Sequence, residues 1–403
     1  MSVNIPIGWT SLLSWAWIVL GMTSLHAGES LREKYDRYAD LQYDNPHEAI
    51  RIYTEIMENC SPHKDLQLWV QVSIKLSTAL YYLGRDAEAQ SIITPMLERL
   101  EGSDLHDFHA QVLLLQVNSM ERSEKRLDVI KLFRKLDHLA EVVKDPLTVA
   151  AISIAKSNEA KRIGEIDQRN LYIQKAYNIL RSAPKGARYY AMLNNIALAF
   201  MGNANKDDGE AIDILREVAL YAEQHQLRFL GVQAFSNLAA KLEEAKVYPE
   251  ALDAFRKSIA YAAAIQDTFN IAFGMKGIAT LFNSQGHHAK AIEEFTKAKA
   301  IFAKFDDPGP IIEINLHLAD SLNEVGRSME ALALAQELET TIDKTLGTSR
   351  MMDYLDIRSR IHQRLGEYRL ALDDHLQADK LKSTIYAERS QELAKRPHER
   401  VPA

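Results

Sequence analysis

Small and apolar residues recur along the chain at intervals of about 40 residues, which is a length typical of helical repeats. The recurring positions, called anchors below, are Ala49, Ala89, Val129, Arg169, Ala211, Ala251, Ala291, Ala331 and Ala371. The residues four and seven places after each anchor are mostly apolar, as in Phe255 after Ala251 or Val218 after Ala211. Positions i, i+4 and i+7 share one face of a helix, so each anchor predicts the start of an amphipathic helix.

A glycine stands five residues before most of the anchors. These glycines are Gly84, Gly164, Gly286, Gly326 and Gly366. Glycine adopts the left-handed conformation that a tight helix exit requires, so it predicts the end of a preceding helix. Each unit is therefore predicted to be helix A, a turn and helix B. One such hairpin cannot bury its apolar stripe alone, but a stack of nine can.

Two arginines interrupt this pattern. Arg169 replaces the small anchor, and Arg358 stands where Leu238, Ile278 and Leu318 stand in other units. We expect the units around them to be atypical or exposed.

The repeated combination resembles the tetratricopeptide repeat. Local matches are LYYLGRDAEAQSII, LFNSQGHHAKAIEEFTKAKA and HQRLGEYRLALDDHLQADKL, and the resemblance covers residues 30–390. The period is longer than the common repeat of roughly 34 residues and is similar to that of bacterial regulators and kinesin light chains. The resemblance implies an all-α fold, a right-handed α-solenoid or superhelix of about nine helix-turn-helix repeats.

Residues 1–28 have a different character from the rest of the chain. Residues 5–27 carry no charge and include three of the four tryptophans. This is typical of a targeting segment, either a cleaved signal peptide or an uncleaved membrane anchor, because about 20 apolar residues can span a bilayer. We therefore predict an exported chain with a targeting segment (1–28), a solenoid (29–385) and a C-terminal helix extension with a tail (386–403).

Composition excludes several classes of function. The chain has 403 residues and a formal net charge of −7, without the concentrated positive surface that nucleic-acid binding needs. Cys60 is the only cysteine, so no intrachain disulfide and no cysteine-based zinc site can form. The sequence contains no H-E-x-x-H motif, no G-x-S-x-G motif, no phosphate-binding loop and no dinucleotide-binding fingerprint. We predict no enzyme activity, no metal and no cofactor.

Polar residues on the A helices form the candidate site. In stacked helix pairs the A helices line the concave face, and an Asn amide there can donate to and accept from a peptide backbone. The tetratricopeptide resemblance implies this role for Asn195 and Asn237. The whole predicted strip, for a protein or peptide partner, is Asn194, Asn195, Gln233, Asn237, Thr280, Asn283, His317, Asp320 and Asn323. The alternative is that these are ordinary hydrated side chains.

The C-terminal region contains no helix breaker from Tyr368 to Lys395. This predicts a final helix of roughly 42 Å at about 1.5 Å per residue. It either caps the last apolar face or looks like the exit helix of periplasmic tetratricopeptide input regions in bacterial sensor kinases and diguanylate cyclases.

The sequence leaves three functions open. The first is a non-enzymatic scaffold or peptide-binding protein of the bacterial cell envelope, periplasmic or membrane-anchored. The second is the sensory input region of a membrane signalling protein without its output domain. The third is a cytoplasmic peptide-binding regulator, if residues 1–28 are not a targeting segment.

Overall fold

The structure is a computed structural model that describes residues 29–120, 126–200, 208–305, 307–345 and 348–395. Within these ranges the chain forms nineteen α-helices and no strand. In chain order they are α1 Leu31–Arg37, α2 Leu41–Asp44, α3 Pro46–Asn59, α4 Leu66–Tyr82, α5 Asp86–Leu100, α6 His106–Met120, α7 Arg126–Ala140, α8 Pro146–Arg162, α9 Ile166–Leu180, α10 Ala187–Phe200, α11 Asp208–Gln224, α12 Arg228–Glu244, α13 Tyr248–Ala264, α14 Thr268–Ser284, α15 His288–Phe302, α16 Gly309–Glu324, α17 Ser328–Thr345, α18 Thr348–Arg364 and α19 Tyr368–Lys395. The predicted all-α repeat fold is confirmed.

Each anchor is the fourth residue of its B helix. The B helices are α3, α5, α7, α9, α11, α13, α15, α17 and α19, and their anchors are all buried. The residue seven places on is buried in every case, from Ile56 in α3 to Ala378 in α19. The apolar stripe read from the sequence is therefore the face on which each B helix packs.

Turns between the A and B helices have the predicted glycine geometry. Gly84, Gly164, Gly286, Gly326 and Gly366 have φ between 68° and 83°. In the turn between α12 and α13 the same place is taken by Lys246, at φ 59°. A side chain with a Cβ is strained in this conformation. Among the described residues, Gln226 and Gln266, in turns from a B helix to the next A helix, share this positive φ with Lys246.

Several A helices begin at an aspartate that follows the preceding B helix. Asp65, Asp145 and Asp267 accept hydrogen bonds from the first-turn amides of α4, α8 and α14. Such a cap satisfies backbone donors that have no partner inside the helix. The first repeat is different, because two short helices, α1 and α2, replace a single A helix. The Tyr53 hydroxyl of α3 donates to the Tyr38 carbonyl between them at 2.6 Å.

The two arginines that interrupt the pattern are not exposed. Arg169 is only 4% exposed in α9, where burial lowers its pKa. The Arg358 side chain is 15% exposed and pairs with the buried Asp374. Of the two expected alternatives, atypical or exposed units, exposure is wrong for both arginines, because α9 and α18 are regular helices that keep their side chains inside. Arg358 has its carboxylate partner on the next helix, α19. The repeat pattern compares equivalent positions one at a time and does not reveal such a pair.

The contacts divide the chain into two units, Met1–Met192 and Leu193–Ala403. In the first unit the core is built from α1 to α9, with Tyr53, Met96 and Leu136 fully buried. In the second unit Phe295, Phe302 and Tyr354 are fully buried within one cluster that reaches α19. Whether residues 29–385 act as one continuous solenoid stays a prediction.

Candidate functional site

The predicted strip lies on four A helices of the second unit, one pair after another. Asn194 and Asn195 are on α10, Gln233 and Asn237 on α12, Thr280 and Asn283 on α14, and His317, Asp320 and Asn323 on α16. The nearly constant repeat spacing keeps equivalent residues at the same level of neighbouring helices. We call these nine residues the A-helix strip.

Two asparagines connect α10 to α12. Asn237 donates its Nδ2 hydrogen to Asn194 Oδ1 at 3.1 Å. Asn194 is 3% exposed and Asn237 is half-buried, whereas Asn195 is exposed. Among the described residues, neither Asn195 nor the half-buried Gln233 has a hydrogen-bond partner. The asparagine pair therefore fixes the positions of the helices, and Asn195 and Gln233 retain amide groups for a ligand.

Asn283 connects α14 to α16 in a similar way. Its Oδ1 accepts from the Ser321 hydroxyl at 2.8 Å and lies 2.7 Å from His288 Nδ1. The neighbouring Thr280 donates to the Lys276 carbonyl of its own helix at 3.0 Å. These two members of the strip are thus engaged within the protein.

His317 packs on the preceding B helix. Its ring stacks on that of Phe295 with centroids 5.6 Å apart and an angle of 2° between the planes. Burial lowers the pKa of His317 below 6.5. The equivalent residue one repeat earlier is Gly277, where an added Cβ would stand 2.2 Å from Phe255 Cε1. The position two residues before the small Ala319 or Ala279 of helix A therefore meets the aromatic ring of the previous pair in these two repeats.

Asp320 and Asn323 are held by the last helix pair. Asp320 Oδ1 forms an ion pair with Arg360, whose nearest guanidinium nitrogen lies 2.7 Å away. The orientation of the two groups is not that of a hydrogen bond. Asn323 is 2% exposed, and its Oδ1 accepts from Ser328 at 2.8 Å. Its backbone carbonyl accepts from Arg364. Asn323 thus closes the turn into α17 and links α16 to α18.

An aromatic and ionic group that was not predicted from the sequence lies on the A helices between the members of the strip. Phe273 is 39% exposed, and Lys276 Nζ lies 4.4 Å from the centre of its ring. Lys276 also pairs with Glu313 on α16 at 2.8 Å. Phe273 stands one repeat after Gln233 and one repeat before Glu313. An aromatic residue at a position that is polar in both neighbouring repeats is the sequence feature that could have indicated this group.

A further contact between α12 and α14 involves an acidic residue. The Ser284 hydroxyl donates to Glu243 Oε1 at 2.7 Å. Burial raises the pKa of Glu243, although this hydrogen bond acts in the opposite direction. The A helices of the second unit are therefore joined side by side by polar contacts at several levels.

This arrangement suits an extended chain better than a small reactive substrate. Amides at Asn195 and Gln233 can each donate and accept, which matches a peptide backbone. Phe273 offers an apolar surface beside a cation that Glu313 already neutralises. In the part of the chain that the structure describes, no group of three or more His, Cys, Asp or Glu residues could hold a metal ion.

The candidate targeting segment, residues 1–28, lies outside the described residues. Among the helices that are described, none combines the length and the apolar character that a membrane span requires.

Comparisons with known proteins identify the fold. No family model matches the chain, and no curated protein matches it in sequence. Solved structures do match. A Rap protein complexed with Competence and Sporulation Factor is 12% identical, with a TM-score of 0.55 over 79% of this chain and 99% of that one. Aspartyl phosphate phosphatase F from Bacillus subtilis is 16% identical, with a TM-score of 0.53 over 95% and 96% of the two chains.

A third similar structure is a signal transduction ATPase with numerous domains from Pyrococcus horikoshii, which carries a tetratricopeptide repeat sensor. It is 11% identical, with a TM-score of 0.58 over 85% of this chain and 54% of that one. At these identities the likeness concerns the fold alone. The chain has a helical repeat fold of the tetratricopeptide type.

Proposed function

We propose that this chain is a non-enzymatic protein-interaction module that holds an extended segment of a partner protein on the A-helix strip of the second unit. The observation that carries the proposal is the pair of uncommitted amides, Asn195 and Gln233, beside the fixed Asn194–Asn237 bridge. Ordered neighbours hold these helices in place, so little entropy is lost when a peptide binds.

The neighbouring structures favour this class of function. The Rap protein of similar fold is complexed with Competence and Sporulation Factor, so helical repeats of this kind can hold a separate molecule. On this chain, the partner backbone would bond to Asn195 and Gln233, and one apolar partner side chain would lie on Phe273. Main-chain recognition of this type selects an extended segment with little sequence preference.

The test is to isolate the partner and then to remove the amides. The full chain would be used to retain proteins from an envelope extract, and the retained protein would be mapped to a short peptide. Asn195→Ala combined with Gln233→Ala removes up to four hydrogen bonds of about 0.5–1.5 kcal/mol each, so we expect the peptide Kd to rise at least about 10-fold.

A matched control removes two amides from B helices of the same unit. Gln224→Ala combined with Gln336→Ala, at exposed positions of α11 and α17, should leave the Kd unchanged. Circular dichroism should show equal helix content in all variants. An unchanged Kd for Asn195→Ala/Gln233→Ala would refute the proposed groove.

For the location we propose export to the bacterial cell envelope through residues 1–28, with the cytoplasmic regulator as the competing proposal. Fusing residues 1–30 to a reporter that is active only outside the cytoplasm separates the two, since a silent reporter rejects export. The sensory-input alternative requires an output protein. A neighbouring gene that encodes a membrane span with a kinase or cyclase domain would favour it over the stand-alone scaffold.

A further inference from the structure

The last described helix, α19, carries apolar side chains on a face that does not pack on the core. Tyr368, Leu372 and Leu376 are 70%, 56% and 55% exposed. They follow one another at intervals of four residues, so they form one stripe along the helix. Ala371 and Ala378 lie on a different face and are buried. α19 thus has one apolar face that packs on the second unit and a second one that the described residues leave exposed.

The apolar character of this stripe is not a property of the repeat. The other eight B helices carry a polar residue at the position of Leu376, namely Thr54, Thr94, Arg134, Gln174, Arg216, Arg256, Thr296 and Gln336. Water meets this position in most of them, since it is exposed from α5 to α17. A single exposed leucine needs no explanation, but a continuous apolar stripe indicates an interaction surface. Leu376 therefore marks α19 as different from every other B helix.

The exposed face is poorly suited to a further helix pair. The residue four places after the anchor packs on the next A helix, as Phe255 does on Gly277, and it is buried in α13, α15 and α17. In α19 this residue is His375, whose Nε2 lies 3.7 Å from Asp379 Oδ2. The two side chains are 60% and 61% exposed. Another A helix would bury both polar groups, whereas a partner centred on Leu376 leaves them at its edge.

The charges on each side of the stripe are complementary to those of a second α19 that runs in the opposite direction. At about 100° per residue, Asp373 and Lys380 fall on one flank of the stripe, and His375 and Asp379 fall on the other. A two-fold axis near Gln377 brings Asp373 of each copy level with Lys380 of the other, and His375 level with Asp379. A parallel pair would place Asp373 beside Asp373, and like charges repel each other.

These charges are available for such contacts. Asp373 and Lys380 are exposed, and no other described residue forms an ion pair with either of them. His375 and Asp379 are exposed as well, so they can exchange their contact within one helix for the equivalent contact between copies. The surface therefore combines an apolar centre with a charged rim, which is the composition of a specific protein interface.

We propose that the chain forms a two-fold homodimer in which α19 of one copy packs antiparallel on α19 of a second copy. Leu376 of the two copies meets at the centre, and Leu372 and Tyr368 extend the apolar contact on both sides of the axis. In an interface of this symmetry every contact occurs twice. The interface uses no residue of the A-helix strip, so it is independent of the proposed function.

The test measures the mass of the full chain by sedimentation velocity at a series of concentrations. We expect a species of twice the chain mass that dissociates on dilution. Leu376→Gln introduces the residue that the preceding repeat carries at this position. It should raise the dimer Kd at least about 10-fold, because the apolar contact is lost from both copies.

A matched control removes an exposed leucine from another side of the same helix. Leu370 is 48% exposed and lies about 160° around the helix from Leu372. Leu370→Gln should leave the dimer Kd unchanged. Circular dichroism should show the same helix content in both variants.

A charge exchange tests the antiparallel arrangement. Asp373→Lys should weaken the dimer, because the new positive charge meets Lys380 of the other copy. Asp373→Lys combined with Lys380→Asp restores opposite charges and should recover most of the affinity. A chain that is monomeric at every concentration would overturn the proposal. So would a dimer that Leu376→Gln leaves intact, because the contact would then lie elsewhere, or a double charge variant as weak as Asp373→Lys.

Discussion

The pair α12–α13 and the pair α18–α19 have A helices of equal length and turns of equal length, yet two of their buried positions carry different chemistry. In α12–α13 these positions hold Leu238 and Ala254, which are 5% and 3% exposed. In α18–α19 they hold Arg358 and Asp374. The same backbone is therefore compatible with an apolar core and with an ionic one.

The ionic core is satisfied by several partners. The Arg358 guanidinium donates two hydrogen bonds to Asp374, at 3.0 and 2.6 Å, and a third to the Tyr354 hydroxyl at 2.8 Å. Glu339 accepts a fourth at 2.7 Å. Burial opposes the charge on Arg358, but these hydrogen bonds raise its pKa overall. The comparison of these two pairs shows that the same repeat backbone also accepts a charge at a buried position when a counter-charge stands on the neighbouring helix.

The largest effect is expected from breaking the ionic pair. Asp374→Ala leaves the Arg358 charge inside α18–α19 with only the exposed Glu339 as a counter-charge, and removing one partner of a buried pair costs about 3–5 kcal/mol. Repeat proteins lose stability locally, so the measurement is native-state hydrogen exchange of α18 and α19 compared with α12 and α13.

The matched control converts the last pair to the chemistry of α12–α13. In Arg358→Leu/Asp374→Ala the free energy of unfolding should return to within about 1 kcal/mol of the original, because a buried ion pair can often be replaced by apolar residues. A double variant as unstable as Asp374→Ala would show that the pair has a role beyond mutual neutralisation.

The contact between each B helix and the next A helix also differs between the two regions. Phe255 of α13 packs on Gly277 of α14. At the equivalent positions of α17 and α18 the sizes are reversed, with the small Ala335 on the B helix and the larger Ile357 on the A helix. Gly277→Ala should lower the free energy of unfolding by about 1–3 kcal/mol despite the better helix propensity of alanine, because its Cβ meets a buried ring. Urea denaturation measures the loss, and Phe255→Leu in the same chain should recover most of it. Stabilisation by Gly277→Ala would contradict the close packing described here.

A third difference between the two pairs lies in their turns. Lys246 of α12–α13 has φ 59°, and Gly366 of α18–α19 has φ 78°. Lys246→Gly should raise the free energy of unfolding by about 1 kcal/mol, because glycine has no steric penalty in this region. The measurement is the urea midpoint, and Lys304→Gly, at a turn between α15 and α16, is a control that should not stabilise. No gain from Lys246→Gly would mean that the lysine side chain contributes as much as the strain costs.

The smallest effect is expected from a change of pH, through His317. Among the described residues of the second unit, this is the histidine that stacks on a buried phenylalanine, Phe295. Burial lowers the pKa of His317 below its usual 6.5, so near pH 6 the unfolded state binds more protons than the folded state. Stability should therefore fall as the pH drops through 6.5. His317→Phe should remove this slope while keeping the stack on Phe295, as measured by urea denaturation at a series of pH values. An equal slope in His317→Phe would assign the effect to another group.

Much of the fold could be predicted because it depends on a period. Ala251 and the other anchors each fall on the fourth residue of a helix, and the turn glycines fall where a left-handed residue is required. Lys246 could not be predicted in such a turn, because the backbone there is imposed by the helices on each side and not by the residue itself.

The candidate site was predictable only as a set of positions. The repeat pattern places Asn194, Asn195 and Asn237 on neighbouring helices, but it does not indicate that Asn194 and Asn237 bond to each other. Nor does it indicate the pair of Arg358 and Asp374, whose members lie 16 residues apart on different helices. Polar pairing of this kind depends on distances between side chains, which a periodic pattern does not contain.

Turns of the same conformation, 40 residues apart, also allow the number of repeats in the chain to change. Lys246 and Gly286 occupy the same place in successive pairs, and each has a positive φ. A chain that is cut after each of these residues and rejoined loses one whole repeat while every remaining helix keeps its phase. The length of the surface that we propose for a partner can thus change in whole steps of one helix pair, with new side-chain contacts needed only at the junction, where the Ser284–Glu243 hydrogen bond is lost.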